Sequence, residues 1–293
     1  MGFQDEMSRL VKSLPGLRRH FLLSATEAEE IPRFVHMGRV EKIDYRMDEE
    51  QVPERVHIYK VESPVKDKLE SLGMLLRSLG DQSTIVFLNY RASVERTNKY
   101  LEEQGFSTSF FHGGLEQKER EASLYRFSNG SANILVSTDL ASRGLDIPDI
   151  DNIIHYHMPE SEDGYIHRVG RTARWEAQGR AFFLLGPEEH IPDYVDAELE
   201  DYEIPAVEEL PMPAKPKMAT IYIGKGKKDK ISKGDILGFL CKKGGLNSSE
   251  IGKIDVNDRY AYAAIARPKL RSVLNNVKGE KIKGVKTIVE EVR

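Results

Sequence analysis

A single cysteine in 293 residues, Cys241, excludes any disulfide within the chain and suits a reducing compartment. Long apolar runs are also missing: no stretch approaches the roughly 20 residues that a membrane-crossing helix needs. The first seven residues carry Asp5 and Glu6 where a secretory signal would be apolar, and Glu6 stands where a myristoylation signal wants Ser or Thr. No membrane partner is therefore expected, and the expected location is the cytoplasm. The sequence has no internal repeat and no low-complexity tract. What remains is an ordinary globular composition, 40% hydrophobic, of a length that suggests two domains, or three if small.

The net charge of −4 conceals an asymmetry. From residue 214 to the end, 19 basic side chains face 8 acidic ones, a balance of +11, which leaves −15 for the rest. Two such unlike parts read as two domains with different partners, and the basic one predicts a polyanion.

Residues 16–26 run from polar and basic to Phe21-Leu22-Leu23-Ser24-Ala25-Thr26, a buried strand ending in a small-residue loop. Positions 27–55 are charged without a clean period and read as a short helix and a linker. From 56 to 185 apolar runs recur at 56–61, 84–88, 108–111, 133–137, 152–157 and 180–185, separated by amphipathic stretches at 64–79, 92–104 and 116–127. Short apolar strands alternating with helices predict a parallel sheet covered on both faces, with function collected beyond the carboxyl ends of its strands. Residues 186–204 read as an acidic helical tail. Pro211, Pro213 and Pro216 then mark an extended, semi-rigid linker. The last 77 residues predict strands at 219–223, 251–256, 260–265 and 286–292 with helices at 233–240 and 268–277, a βαββαβ order.

Four blocks carry chemistry. Residues 167–174, HRVGRTAR, gather Arg168, Arg171 and Arg174 within seven residues, either as a phosphate cluster, because guanidinium groups pair bidentately with phosphate oxygens, or, equally, as a basic helix end that stabilises its own dipole. Residues 137–146, STDLASRGLD, follow an apolar strand with hydroxyls, an Arg-Gly and an acid. Residues 85–91, IVFLNYR, form a strand ending in a polar turn. Residues 112–120, HGGLEQKER, place two glycines after a strand, where exposed backbone amides suit an anion.

In this order and spacing the four blocks resemble the second motor domain of superfamily 2 helicases, specifically the DEAD-box family, and Ser24-Ala25-Thr26 resembles that family's SAT motif from the end of the first motor domain. The resemblance covers residues 1 to about 200. It implies an ATP-dependent RNA helicase with a RecA-like α/β sheet. Arg171 and Arg174 match the arginine fingers that reach the ATP γ-phosphate, and His167 matches the residue that connects across the cleft between motor domains. Asp146 matches the acid at the nucleotide ribose. Asn89, Arg91, Gly113, Gln117, Arg120, Thr138 and Gly144 match RNA contacts, and Ser24 and Thr26 the coupling of hydrolysis to strand separation. Ala173 departs from the usual glycine. No GxxxxGK[ST] loop, DEAD tetrapeptide or adenine-reading motif is present. Mg²⁺ is expected to be held mainly by a first motor domain, with no metal site here, so the chain alone is expected to be inactive in ATP hydrolysis.

In the basic segment, Ile221-Tyr222-Ile223 and Arg259-Tyr260-Ala261-Tyr262 resemble the two ribonucleoprotein motifs of an RNA-recognition-motif fold. Alternation puts Tyr260 and Tyr262 on one face of a strand with Tyr222 beside them, a platform for unpaired bases or, equally, a surface packed beneath a helix or linker. Asp258 and Arg259 replace the usual basic-Gly pair. Lys227 and Lys228 lead a set of lysines in turns that suit phosphate contacts. GDILGFL followed by IGKIDV at 251–256 resembles the terminal domain of DbpA-type helicases, which implies a structured hairpin of large-subunit ribosomal RNA as partner, during ribosome assembly.

The expected organisation is a first-domain remnant and linker at 1–55, a second RecA-like domain at 56–205, a proline-rich linker at 206–217 and an α+β, RNA-recognition-motif-like domain at 218–293. The protein is expected to be a monomer. The alternative to the helicase is a non-catalytic RNA-binding clamp derived from one.

Overall fold

Ile85, Val86 and Phe87 show in three residues how the larger sheet is built. All are fully buried, and alternation sends Val86 to one face and Ile85 and Phe87 to the other. The structure, a computed structural model, describes residues 4–14, 16, 21, 41, 55–142, 150–172 and 178–292. Within residues 1–51 the described element is the helix α1 (Gln4–Lys12).

From residue 55 the chain runs β1 (Val56–Glu62), α2 (Leu69–Leu79), β2 (Thr84–Phe87), α3 (Arg91–Glu103), β3 (Thr108–Phe111), α4 (Gln117–Ser128), β4 (Ile134–Ser137), β5 (Asn152–His155), α5 (Glu162–Val169), β6 (Gly179–Leu185) and β7 (Leu199–Asp201). The strands lie in the order β3-β4-β2-β5-β6-β1-β7, every neighbouring pair parallel. Leu72, Leu75 and Leu76 of α2 and Val94 and Leu101 of α3 cover one face. Phe127 of α4 and Tyr165 and Val169 of α5 cover the other. Because β2, β4 and β5 are buried along their whole lengths, polar groups collect at the strand ends.

The acidic segment 186–204 departs from expectation. It holds no helix; β7 extends the sheet edge beside β1. Pro187 and Pro192 cannot supply helix donors. Lys60 lies 3.1 Å from Asp201 and 3.2 Å from Glu62, which offsets the acidic charge of the edge. Tyr202 and Ile204 pack against the core and draw the segment into register. The proline-rich stretch is likewise held: Arg77 donates to the carbonyls of Leu210 and Pro211, both at 2.7 Å, and Leu210 is buried.

The second sheet lies in a segment that runs β8 (Met218–Ile223), α6 (Lys233–Lys242), β9 (Ile251–Val256), β10 (Ala261–Ala266), α7 (Leu270–Asn276), a separate short hairpin of β11 (Lys281–Ile282) and β12 (Val285–Lys286), and β13 (Val289–Glu291). Its antiparallel order is β13-β8-β10-β9. Ser232 starts α6 with reciprocal bonds to Asp235, at 2.9 Å and 3.3 Å. Both helices cover one face, where Ile221, Ile223, Ala261, Ala263 and Ile265 meet Ile236, Leu240 and Val273. The opposite face is left to Thr220, Tyr222, Tyr262 and Ala264.

Candidate nucleic-acid and nucleotide interface

β2, β3 and β4 are adjacent and parallel, so the residues after each strand emerge at one edge of the sheet. β2 leads to Asn89 and Arg91, β3 to Gly113, and β4 to Thr138. Arg120, in the first turn of α4, donates to the carbonyls of Gly113 at 2.9 Å and Leu115 at 3.0 Å. A Cβ at Gly113 would stand 3.2 Å from the Arg91 guanidinium, so a larger residue would push that cation aside. The Thr138 N–H donates to the Phe111 carbonyl at 3.2 Å and ties the ends of β3 and β4. Gln117 is exposed at the start of α4, its amide donating to Glu121 at 3.0 Å. Two guanidinium groups, an amide and a hydroxyl on one polar edge match what a phosphodiester backbone accepts.

The arginines of 167–174 are not equivalent. Arg168 is completely buried. Its guanidinium donates to Asn89 Oδ1 at 2.9 Å, to the His157 carbonyl at 2.8 Å and to both carboxylate oxygens of Asp139, and it lies 5.2 Å above the Phe87 ring. It has no capacity left for a ligand phosphate, which corrects its inclusion in the phosphate cluster. The Asn89 side chain is committed to Arg168 and to the Met158 carbonyl at 3.1 Å. Asn89 thus binds the loops after β2, β4 and β5 together through Arg168. Arg171 follows three residues later, partly exposed; its carbonyl accepts from Ile150 N–H at 3.3 Å. His167 pairs with Asp163 on α5 at 3.2 Å. Ser24, Thr26, Gly144, Asp146 and Arg174 lie outside the described residues.

Two histidines flank this network. Burial, reinforced by the Arg168 charge, holds His155 well below the usual histidine range. Burial, with Lys68 nearby, also lowers His157, whose Nδ1 accepts from the Asn89 N–H at 3.1 Å. Both pKa values are depressed in the fold, so below about pH 6.5 the unfolded chain binds more protons and stability falls with falling pH. Each histidine can add a slope of up to about 1.4 kcal/mol per pH unit. Thermal melts should therefore show lower stability at pH 5.5 than at 7.5, and the double variant His155→Asn, His157→Asn should flatten that slope. An unchanged slope would assign the loss to other groups.

The tyrosine face of the second sheet lies against α4. Tyr125 of α4 packs on Tyr262, the rings tilted by 30° with centroids 5.1 Å apart, and donates its hydroxyl to the Lys253 carbonyl. The Tyr260 hydroxyl donates to Glu121, and Lys118 stands 5.2 Å from the Tyr222 ring and 5.9 Å from that of Tyr260. Asn129 donates to Thr220 Oγ1 at 2.9 Å, and Thr220 Oγ1 to Ser131 Oγ, also at 2.9 Å. Tyr262 is 3% exposed and Thr220 1%. Burial and the Glu121 charge push the Tyr260 phenol up and that of Tyr262 up to about 12, so both stay protonated and can act as donors. Lys227 and Lys228 remain exposed on a turn whose N–H groups donate to the carbonyls of Asn257 at 2.9 Å and Asp258 at 2.8 Å. That turn needs Gly226, because a Cβ there would collide with the Asn257 carbonyl.

With this geometry in place, comparison with known proteins gives the lineage. A model of the helicase conserved C-terminal domain matches residues 67–176, and one of the DbpA RNA binding domain matches residues 220–291. The ATP-dependent RNA helicase DbpA of Escherichia coli (strain K12) is 33% identical across 97% of this chain and 63% of its own length. The chain is a DbpA-type DEAD-box homologue. The DbpA helicase of Bacillus subtilis (strain 168) is 28% identical, over 97% of this chain and 65% of its own length, so this chain spans less than two thirds of either relative. The structure of S. cerevisiae Dbp5 bound to RNA and ADP BeF3 superposes with a TM-score of 0.56 at 23% identity, covering 69% of this chain and 56% of that one, a likeness of fold. The parallel sheet is thus RecA-like, and the second sheet is that of a small RNA-binding domain. Among the described residues no helix is long and apolar enough to cross a membrane.

Within this DbpA-type chain, sequence reasoning missed Asp139, the partner of Arg168, and Lys118, Glu121 and Tyr125, which meet the tyrosine face. An aspartate two residues past a buried strand was the available signal for Asp139. The others carried none, because contact between α4 and a segment about a hundred residues away has no sequence period.

Proposed function

We propose that this chain is the RNA-gripping and arginine-finger part of an ATP-dependent DEAD-box RNA helicase that remodels large-subunit ribosomal RNA during ribosome assembly in the cytoplasm. The observation that carries the reading is the gathering of Arg91, Gly113, Gln117, Arg120 and Thr138 on one sheet edge. Arg171 lies just past the helix that Arg168 fastens to the loops at that edge. In this reading the motor domain spans 56–205, the linker 206–217 and the RNA-binding domain 218–293, with residues 1–55 belonging to a first motor domain and its linker. Backbone phosphates run over the edge formed by Arg91, Gln117, Arg120 and Thr138, and Gly144 is assigned an RNA contact by its motif. ATP sits between motor domains, with Asp146 at the ribose and Arg171 and Arg174 at the γ-phosphate. Mg²⁺ is held mainly by the other motor domain, and Ser24 and Thr26 couple the two. The basic domain tethers a monomeric enzyme to a structured ribosomal RNA hairpin through Lys227, Lys228 and neighbouring turns. Tyr222, Tyr260 and Tyr262 are available to bases only when α4 is not on them.

The test of the RNA reading is a salt titration of hairpin binding. Replacing Lys227 and Lys228 together with alanine should weaken binding and flatten the plot of log affinity against log salt by about 1 to 2 units. An unaltered slope would take these lysines off the phosphate track.

A further inference from the structure

The three tyrosines of the second sheet form one continuous patch, with ring centroids 5.3 to 6.0 Å apart. An aromatic patch of this kind on an open sheet is a stacking surface for unpaired bases. Here the patch is occupied. Tyr125 covers Tyr262, Lys118 stands over Tyr222 and Tyr260, Glu121 takes the Tyr260 hydroxyl, and the Asn129–Thr220–Ser131 bonds close one side. Arg267 reinforces that side by donating to the Ser131 carbonyl at 3.0 Å. Tyr262, at 3% exposed, has no free ring face for a base to enter.

We propose that α4 is a specificity-determining element that excludes unpaired RNA from the tyrosine face, so that the docked chain binds structured RNA through its lysine turns and single strands bind only when the second sheet parts from α4. The inference rests on the reading of the chain as an RNA-binding protein. Two features of the interface fit a reversible contact better than a permanent one. Its aromatic surface is joined to polar contacts, namely the Tyr260–Glu121 and Tyr125–Lys253 bonds and the Lys118 cation, each with a ready counterpart in water or RNA. The helix also begins with Gln117 and Arg120, the proposed phosphate contacts, so a strand gripped there lies at the end of the same helix whose flank holds the tyrosines. Occupancy of the two RNA surfaces is therefore coupled through one rigid rod of 12 residues.

The experiment compares the full chain with the double variant Lys118→Ala, Tyr125→Ala. The variant loses a positive charge, so simple electrostatics lowers its affinity for every RNA. Binding is measured to an unstructured ten-nucleotide uridine oligomer and to a structured ribosomal RNA hairpin. The expected result is a gain of about tenfold or more for the oligomer, from bases stacking on freed tyrosines, with hairpin affinity within about threefold of the parent. Adding Tyr260→Ala should remove the gain. The reverse arm locks the interface: Ser131→Cys and Thr220→Cys, whose present hydroxyl oxygens are 2.9 Å apart, are introduced with Cys241→Ser. Placed in the double variant, this pair should suppress the oligomer gain when oxidised and restore it when reduced. A reduced variant with no gain, a gain that survives oxidation, or a gain that survives Tyr260→Ala overturns the proposal. Failure of the parent chain to bind the hairpin at all would instead overturn the RNA-tether reading, a result read from a separate ligand.

Discussion

Replacing Arg168 with alanine should cost about 3–5 kcal/mol of stability, the scale for removing one partner of a buried charge network. Asp139 would keep a carboxylate against the vacated space, Asn89 would lose its donor, and the His157 carbonyl would be left without its bond. The loops after β2, β4 and β5 would lose the group that fastens them to α5. Arg168→Lys should recover little, because an ammonium cannot reproduce the fork that meets both Asp139 oxygens and Asn89 together. Chemical denaturation, read by far-ultraviolet circular dichroism, checks this: a midpoint within error of the parent would show that the network contributes nothing net.

Arg171→Ala should do the opposite. It should act chiefly on turnover, lowering ATP hydrolysis by about 10²-fold or more when the chain is joined to a motor domain bearing the phosphate loop and the DEAD acid. The charge it supplies matters only as negative charge develops on the transferring phosphoryl group, so kcat should fall with little change in RNA affinity. The same loss is expected for Arg174→Ala. Near-parental kcat in both variants would remove them from the catalytic role. Three residues thus separate an arginine that holds the fold from one proposed to act on the nucleotide, and the two variants distinguish them by different instruments.

The parallel sheet was legible because its strands are buried on both faces and so are apolar runs: TIVF, ILVS and NIIH leave no other reading at their lengths. The second sheet was legible from the alternation at 219–223 and 260–265. The acidic tail was misread because its composition suits a helix surface, whereas its register is set by Lys60 and by Tyr202 packing on a strand distant in sequence. Chain spacing located the polar turns after β2, β3 and β4, but could not rank Arg168 against Arg171. Both are guanidinium groups within two residues of Gly170 in one motif, and burial tells them apart.

The sequence by itself determined the α/β and α+β sheets, the order of their elements apart from the 186–204 edge, the charge division and the motif positions, because each follows from periodicity, composition or spacing within a short window. The tertiary structure alone decided which polar side chains are spent inside the protein and which face outward. It set Arg168 against Asp139 and Asn89, and it laid Tyr222, Tyr260 and Tyr262 against α4 rather than leaving them open. The physical reason is the same in both cases. Whether a guanidinium or an aromatic face is available to a ligand depends on what the rest of the chain has packed over it, and that partner lies 29 residues away for Arg168 and 139 for Tyr260.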